Sequence, residues 1–190
     1  MRGTAGGRLL SISHGSWLLK PEKCLNNLMA DFSKKTKNIK LVATDIDGVW
    51  TDARMYVTPE GDFMKAFSTY DGMAVSMLKK RGIIVAILTS ENTDIVLSRA
   101  EKLKIEEVYV DEHEKLKRLI YLTKKYKISM DEVAYIGDDV NDLQALQAVG
   151  FSALSGNSPI QDQFTPDYIT KCHGGHGAFR EFADIILSAK

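Results

Sequence analysis

The chain has 190 residues, with 25 Lys and Arg, 25 Asp and Glu, and a formal net charge of zero. The balanced charge gives no sign of a nucleic-acid or membrane surface, and no stretch approaches the roughly 18 apolar residues of a transmembrane helix. The two cysteines, Cys24 and Cys172, are too few for a disulfide framework and indicate a reducing compartment, so a cytoplasmic location is expected.

Residues 1–38 differ in composition from the rest and are predicted to be an N-terminal extension. No acidic residue precedes Glu22, and residues 1–20 contain arginine, serine and glycine in a mixture that faintly resembles a transit peptide. A poorly ordered extension is the simpler alternative. From Pro21 to Lys37 the apolar residues recur at helical spacing, which predicts a short helix. Residues 39–190 are expected to form one domain.

From residue 39 onward, short apolar runs alternate with helical patterns. This alternation predicts an α/β fold, with a Rossmann-like parallel sheet and helices on both faces. The predicted strands are 41–44, 83–89, 108–110, 133–137 and 150–154. The predicted helices are 73–82, 93–103, 115–126 and 142–150. Ser129 and Glu132 fit a capping box before the fourth strand.

Residues 53–67 interrupt the alternation. Two extended pieces flank Pro59-Glu60-Gly61, which predicts a β-hairpin inserted after the first strand. The insertion is too short to be a separate cap domain. Its large apolar residues are expected to pack against another surface, such as a second subunit. They are Met55, Tyr56, Phe63, Met64 and Phe67.

Polar residues follow the predicted strands at the points where ligands bind in open α/β sheets. Because the carboxyl ends of parallel strands meet at one edge, these side chains are expected to converge. Asp45 and Asp47 follow the first strand, Thr89 and Ser90 end the second, Lys115 begins the helix after the third, and Asp138 and Asp139 end the fourth.

The converging residues predict phosphoryl-transfer chemistry. Asp45, Asp47 and Asp138 would repel one another unless a cation lies between them. Their oxygen ligands suit Mg²⁺, which prefers a phosphorylated substrate as a partner. One carboxylate can attack phosphorus to form an aspartyl-phosphate, while a second protonates the leaving oxygen and later activates water. Thr89 and Lys115 could hold the phosphoryl oxygens.

Four motifs contain these residues, namely DIDG (45–48), ILTS (87–90), Lys115 and GDDVND (137–142). In this order they resemble the motifs of the haloacid dehalogenase superfamily, and the resemblance covers residues 39–190. It implies that Asp45 is the nucleophile and Asp47 the general acid/base. It also implies that Asp138 binds Mg²⁺ beside Asp45 and the backbone carbonyl of Asp47, and that Thr89, Ser90 and Lys115 hold the phosphate.

Further motifs resemble the capless branch of that superfamily: the hairpin in place of a cap, KAF (65–67), Asp71-Gly72 and the tail GGHGAFREF (174–182). That branch contains phosphatases of eight-carbon and nine-carbon 3-deoxy-2-ulosonate phosphates, and the same domain ends some CMP-sialic acid synthetases. The resemblance implies a homotetramer assembled through the hairpin, in which the hairpin and tail of one subunit close a neighbour's site.

The sugar acid is left open by the sequence. The segments ATDIDGVWTD (43–52) and RAEKLK (99–104) are most similar to the nine-carbon enzyme. The third tail position is arginine in the octulosonate enzymes, and glutamate is expected in the nononate enzyme, but this chain has His176. His176 is a candidate substrate contact. Lys65 is either a surface lysine or a contact to a substrate carboxylate.

Some residues near the motifs have simpler explanations. Asp139 is expected to cap the helix that follows it, and Asp142 is either a site residue or part of a solvated helix face. Lys115 is preferred to Lys117 because of its place in the motif order.

Three functions compete. The first is Mg²⁺-dependent hydrolysis of a small-molecule sugar-acid phosphate. The second is a receiver-type signalling domain, which the position of Asp111 and the presence of Asp47 disfavour. The third is a non-catalytic tetramerisation module like the end domain of CMP-sialic acid synthetases. Both Asp45 and Asp47 are intact, which favours an active enzyme.

Overall fold

A computed structural model of the chain describes residues 32–190. The strands are β1 (Leu41–Thr44), β2 (Tyr56–Thr58), β3 (Gly61–Met64), β4 (Ile84–Leu88), β5 (Glu107–Tyr109), β6 (Val133–Gly137), β7 (Phe151–Leu154) and β8 (Tyr168–Ile169). The helices are α1 (Thr69–Lys80), α2 (Asp94–Lys102), α3 (Lys115–Tyr126), α4 (Leu143–Ala148) and α5 (Ala178–Ser188). Short 3₁₀ helices span Met130–Glu132 and Val140–Asp142, and residues 32–36 are also helical.

The central layer is a six-stranded sheet with the order β5-β4-β1-β6-β7-β8, and every neighbouring pair is parallel. The predicted Rossmann-like sheet is therefore confirmed. Strands β4 and β5 lie on one side of β1, and the chain then crosses back so that β6 pairs with the other side of β1. Open α/β sheets bind ligands at such a reversal, beyond the carboxyl ends of the strands. This places the end of β1 at the expected site.

Helices cover both faces of the sheet, as predicted, because alternate residues of each buried strand point to opposite faces. On one face, Val42 belongs to a core that includes buried residues of α1, α2 and α5. On the other face, Leu41 and Ala43 belong to a second core with residues of α3 and α4. β1 is completely buried between these two cores.

The predicted hairpin is present as β2 and β3, an antiparallel pair in which Thr58 is opposite Gly61. Gly61 has φ +123°, a conformation that favours glycine and allows the tight turn. Most of the apolar hairpin residues are exposed; Phe63 is 71% exposed and Met64 is 46% exposed. Phe67 is the exception, because it packs against the core of its own chain.

Other differences from the prediction have local causes. Helix α1 begins at Thr69 rather than at residue 73 because the Ser68 hydroxyl caps it, accepting from the N–H of Tyr70 at 3.2 Å. Helix α5 and strand β8 were not predicted.

The predicted capping box is confirmed, since the N–H of Ser129 donates to Glu132 Oε2 at 2.8 Å.

Part of the predicted N-terminal helix, residues 21–31, lies outside the described residues, as does most of the extension. Within residues 32–190, no helix has both the length and the hydropathy needed to cross a membrane.

Candidate active site

Asp45 directly follows β1 and is buried at the carboxyl edge of the sheet. Its Oδ1 atom accepts the N–H of Ile46 at 2.7 Å, and its Oδ2 atom lies 2.8 Å from Lys115 Nζ. The pKa of Asp45 is raised to about 7, mainly by burial and also by the nearby charge of Asp142, although the Lys115 ammonium opposes both. A positive charge beyond that of Lys115 would favour the ionised carboxylate.

The loop after Asp45 is fixed by backbone and side-chain hydrogen bonds. The carbonyl oxygen of Ile46 accepts the N–H of Trp50 at 2.8 Å. The indole Nε1 of the buried Trp50 donates to Thr44 Oγ1 at 3.0 Å, and that hydroxyl donates to the carbonyl oxygen of Asp45 at 2.6 Å. These bonds hold the backbone on both sides of Asp45.

Lys115, the first residue of α3, places its ammonium group between two carboxylates. Nζ lies 2.8 Å from Asp45 Oδ2 and 2.6 Å from Asp142 Oδ1. Burial alone would lower the pKa of Lys115, but the charges of Asp45 and Asp142 outweigh it, so the pKa is raised and the ammonium stays charged. The competing Lys117 is exposed and pairs with Glu114, so Lys115 is the lysine that reaches the site.

Asp138 follows β6 and faces Asp45 across the sheet edge. Carboxylate oxygens of Asp45, Asp138 and Asp142 all lie within 4.8 Å of one another. The pKa of Asp138 is raised to about 8, mainly by burial and also by the charges of Asp45 and Asp142. Gly48 leaves room for this carboxylate, because a Cβ atom there would lie 1.8 Å from Asp138 Oδ2. Three carboxylates therefore share one enclosed position.

Asp142 is fully buried, so its interpretation as part of a solvated helix face is wrong. Its Oδ2 atom accepts the N–H groups of Asp138 at 2.9 Å and Asp139 at 3.3 Å. Its Oδ1 atom accepts from Lys115 Nζ and from the Tyr135 hydroxyl, the latter at 2.5 Å. Asp142 thus accepts four donors and holds its neighbours in place. Asp139 caps the 3₁₀ helix as predicted, accepting the N–H of Val140 at 2.7 Å.

Asp47 lies apart from the three-carboxylate cluster. Its Oδ1 atom accepts from Thr51 Oγ1 at 3.1 Å and from Lys65 Nζ at 2.7 Å. Its Oδ2 atom is buried and has no hydrogen-bond partner within residues 32–190. The Lys65 side chain is only 1% exposed, so its interpretation as a surface lysine is wrong. Lys65 connects the hairpin to Asp47.

Thr89 and Ser90 follow β4 and complete the cleft. Thr89 is buried, and Ser90 Oγ accepts from Asn141 Nδ2 at 3.1 Å. The cleft has a volume of about 270 Å³. It is lined by Asp45, Asp47, Ala53, Thr89, Ser90, Glu91, Asp138, Asp139, Val140 and Asn141. The structure therefore brings together the predicted aspartates and hydroxyls, with Lys115 buried against Asp45.

His176 does not reach this cleft in its own chain. It is exposed and lines a separate cavity of about 620 Å³ together with Tyr70 and Arg180. Sequence reasoning left the role of Asp142 open and missed that of Tyr135. The spacing of Asp139 and Asp142, which fits a capping box, was a signal for the inward turn of Asp142.

Comparison with known proteins gives a consistent result. The family described as haloacid dehalogenase-like hydrolase matches residues 63–150. The 3-deoxy-D-manno-octulosonate 8-phosphate phosphatase KdsC of Haemophilus influenzae is 37% identical over 157 residues, which are 83% of this chain and 87% of that protein. KdsC of Escherichia coli K12 is 34% identical over 168 residues, covering 88% of this chain and 89% of the relative.

Solved structures are similar in fold as well. The 3-deoxy-D-manno-octulosonate 8-phosphate phosphatase of Moraxella catarrhalis, in complex with magnesium, phosphate and KDO, superposes with a TM-score of 0.81. It is 40% identical, and the match covers 85% of this chain and 93% of the other. A cobalt-bound form of the Haemophilus influenzae phosphatase is 37% identical, with a TM-score of 0.78 and coverage of 82% and 91%.

Proposed function

The chain belongs to the haloacid dehalogenase-like hydrolases and is a phosphomonoester hydrolase, and we propose that its substrate is a 3-deoxy-2-ulosonate phosphate. The eight-carbon 3-deoxy-D-manno-octulosonate 8-phosphate is the first candidate, because the similar phosphatases named above act on it. The main support for the reaction in this chain is the buried Lys115 Nζ, which lies 2.8 Å from Oδ2 of Asp45, a residue that lines the cleft.

The carboxylate cluster suits a divalent cation. Asp45, Asp138 and Asp142 are buried around one ammonium group, Lys115, so the ionised cluster lacks positive charge. A divalent ion would balance it, and hard oxygen ligands favour Mg²⁺. Asp45 and Asp138 would hold the ion together with the backbone carbonyl of Asp47. Asp142 is less suited as a ligand, because its oxygens already accept four donors. When bound, Mg²⁺ neutralises charge on the phosphoryl oxygens.

Asp45 is the proposed nucleophile. One of its oxygens attacks phosphorus, the bond from phosphorus to the sugar oxygen breaks, and an aspartyl-phosphate forms on Asp45. Lys115 offers a third donor direction to a phosphoryl oxygen, since it uses two on Asp45 and Asp142. Thr89 and Ser90 line the same cleft and bind the remaining phosphoryl oxygens.

Asp47 is the proposed general acid and base. It gives a proton to the departing sugar oxygen, then takes one from water as that water attacks the aspartyl-phosphate. Lys65 and Thr51 both contact Oδ1 of Asp47, which leaves Oδ2 for the proton. Lys65 is thereby engaged within its own chain, and any contact with a substrate carboxylate would have to be made beside Asp47.

The nine-carbon 9-phosphate is the second candidate substrate, because the segments 43–52 and 99–104 are most similar to the nine-carbon enzyme, while His176 matches neither the arginine of the octulosonate phosphatases nor the glutamate expected in the nononate enzyme. The exposed apolar hairpin supports assembly into a homotetramer, through which His176 could approach a neighbour's cleft. A purely structural tetramerisation module, as in CMP-sialic acid synthetases, is disfavoured by the complete set of site residues. A cytoplasmic location stays a prediction that rests on the two cysteines.

The deciding experiment compares phosphate release, with Mg²⁺, from octulosonate 8-phosphate, nononate 9-phosphate and N-acetylneuraminate 9-phosphate. Asp45→Asn serves as the blank. We expect kcat/KM for one substrate to exceed the others by at least about tenfold, which corresponds to about 1.4 kcal/mol. Absence of turnover above the Asp45→Asn blank with all three substrates would reject the sugar-acid assignment.

A further inference from the structure

Tyr135 is a buried tyrosine whose hydroxyl group faces the proposed site from below. It lies on β6 opposite Ala43 of β1, and its ring packs in the core that contains α3 and α4. Phenylalanine would fill this apolar space equally well. What the tyrosine adds is its hydroxyl, which donates to Oδ1 of Asp142 at 2.5 Å.

The Oδ1 atom of Asp142 receives two donors of different kinds. Lys115 Nζ lies 2.6 Å away and the Tyr135 hydroxyl 2.5 Å away. Both donors bind to lone pairs of the same oxygen. The hydrogen bond from the Tyr135 hydroxyl therefore weakens the attraction between Asp142 and the Lys115 ammonium. Lys115 also lies 2.8 Å from Asp45, and its position between the two carboxylates depends on the balance of these attractions.

The other oxygen of Asp142 fixes the direction of the carboxylate. Oδ2 accepts the N–H groups of Asp138 and Asp139, at 2.9 and 3.3 Å. Gly137 is required beside it, because a Cβ atom there would lie 2.4 Å from the carboxyl carbon of Asp142. With Oδ2 held by the backbone, a change at Oδ1 is transmitted mainly to Lys115.

We propose that Tyr135 is a positioning residue that, through Asp142, keeps the Lys115 ammonium between Asp142 and Asp45, where it can hold a phosphoryl oxygen. This inference rests on the proposed function, in which Lys115 binds the transferring phosphate. Without the hydroxyl, Asp142 draws Lys115 toward itself. Phosphoryl transfer and phosphate binding weaken, whereas the ion-binding oxygens of Asp45 and Asp138 keep their places.

The test compares the full chain with Tyr135→Phe and with a matched control, Tyr126→Phe. The Tyr126 hydroxyl also donates to a buried carboxylate, Glu107, which lies at the amino end of β5, away from the cleft. For Tyr135→Phe we expect kcat to fall about tenfold and the Kd for inorganic phosphate, measured by calorimetry with Mg²⁺, to rise severalfold. The Mg²⁺ concentration for half-maximal activity should stay within about twofold of wild type.

A positioning role predicts that both variants lose stability, but that only Tyr135→Phe loses kcat and phosphate affinity. Unchanged kcat and phosphate Kd in Tyr135→Phe would overturn it, as would equal losses in Tyr126→Phe. A rise in the Mg²⁺ requirement that accounts for the whole effect would also overturn it, since the hydroxyl would then act on the ion site. Failure of the wild-type chain to hydrolyse any sugar-acid phosphate would reject the proposed function separately, because the phosphate titration needs no turnover.

Discussion

Lys65 Nζ lies 2.7 Å from Oδ1 of Asp47, and this ion pair ties the inserted hairpin to the loop after β1. The lysine side chain is almost completely buried, so the pair is shielded from solvent ions. The pair occupies one oxygen of Asp47 and leaves Oδ2 without a partner among the described residues. The geometry predicts that the hairpin orients the proposed general acid.

Replacement of Lys65 with methionine is therefore expected to impair leaving-group protonation. For a sugar phosphate, whose leaving oxygen needs a proton, kcat should fall about tenfold or more. For p-nitrophenyl phosphate, whose leaving group is stable as an anion, the loss should be several times smaller. Steady-state kinetics on both substrates measures this difference. Lys117→Met, at an exposed lysine, is the control, and equal losses on both substrates would contradict the orienting role.

Gly48→Ala is expected to disable the ion site. Gly48 has φ +81°, and a Cβ atom there would lie 1.8 Å from Asp138 Oδ2. Asp138 must move, so we expect the Mg²⁺ requirement to rise and activity to fall by about a hundredfold or more, about 2.7 kcal/mol. Mg²⁺ titration of the activity measures both effects.

Gly82→Ala is the control that distinguishes the clash of a Cβ atom at position 48 with Asp138 from backbone strain. Gly82 has φ +72°, but a Cβ atom there meets nothing within 4 Å. Both variants therefore have the cost of a left-handed alanine, about 1–2 kcal/mol. Only Gly48→Ala should change the Mg²⁺ dependence; the same change in Gly82→Ala would show that strain alone is responsible.

Asp71 is expected to make the stability depend on pH. This carboxyl group is fully buried at α1, and burial raises its pKa from 3.8 to about 6, opposed by the N–H of Arg180, which donates to Oδ1 at 2.8 Å. Since the folded pKa exceeds the unfolded value, the folded chain binds the proton more tightly. The stabilising contribution of Asp71 to the free energy of unfolding is complete below about pH 3.8 and is lost as the pH rises through about 6.

The Asp71→Asn variant should lack this loss. Relative to wild type, its free energy of unfolding should increase between about pH 4 and pH 7, by at most about 3 kcal/mol. Urea unfolding at several pH values measures the difference. Asp162→Asn, at an exposed aspartate, is the control. A pH-independent difference between Asp71→Asn and wild type would refute the prediction.

The exposed hairpin predicts self-association. Phe63 and Met64 are on β3, and their exposed apolar area would be buried between subunits. We expect light scattering to give the mass of a tetramer for wild type and a smaller mass for the double variant Phe63→Ser with Met64→Ser. Tyr121→Ser, at a half-exposed tyrosine on α3, should keep the wild-type mass. A monomeric wild type would eliminate assembly through the hairpin.

The parallel sheet and most of the site could be predicted from the sequence because their signals are local. Apolar runs end at Asp45, Thr89 and Asp138, and parallel strands bring those ends together. The fourth predicted strand, Val133–Gly137, agrees with the structure at both ends. The hairpin was likewise predictable from the turn residues around Gly61.

The parts that the sequence left open or missed depend mainly on contacts between distant elements. The spacing of Asp139 and Asp142 was a local signal for Asp142, but its contacts with Tyr135 of β6 and Lys115 of α3 form only in the folded chain. Lys65 is buried because the folded hairpin places it on Asp47. Helix α5 did have a local signal, an apolar stripe at Phe179, Phe182 and Ile186, which could have been recognised.

The hydrogen bond from Trp50 to Thr44 places a fluorescent side chain next to the site. The indole is buried and connects through the Thr44 hydroxyl to the carbonyl oxygen of Asp45. The chain has two tryptophans, and the other is Trp17 in the N-terminal extension. With Trp17 replaced by phenylalanine, the emission comes from Trp50 alone. Ion binding and phosphorylation at Asp45 could then be followed as they occur, in stopped-flow experiments and without an added dye.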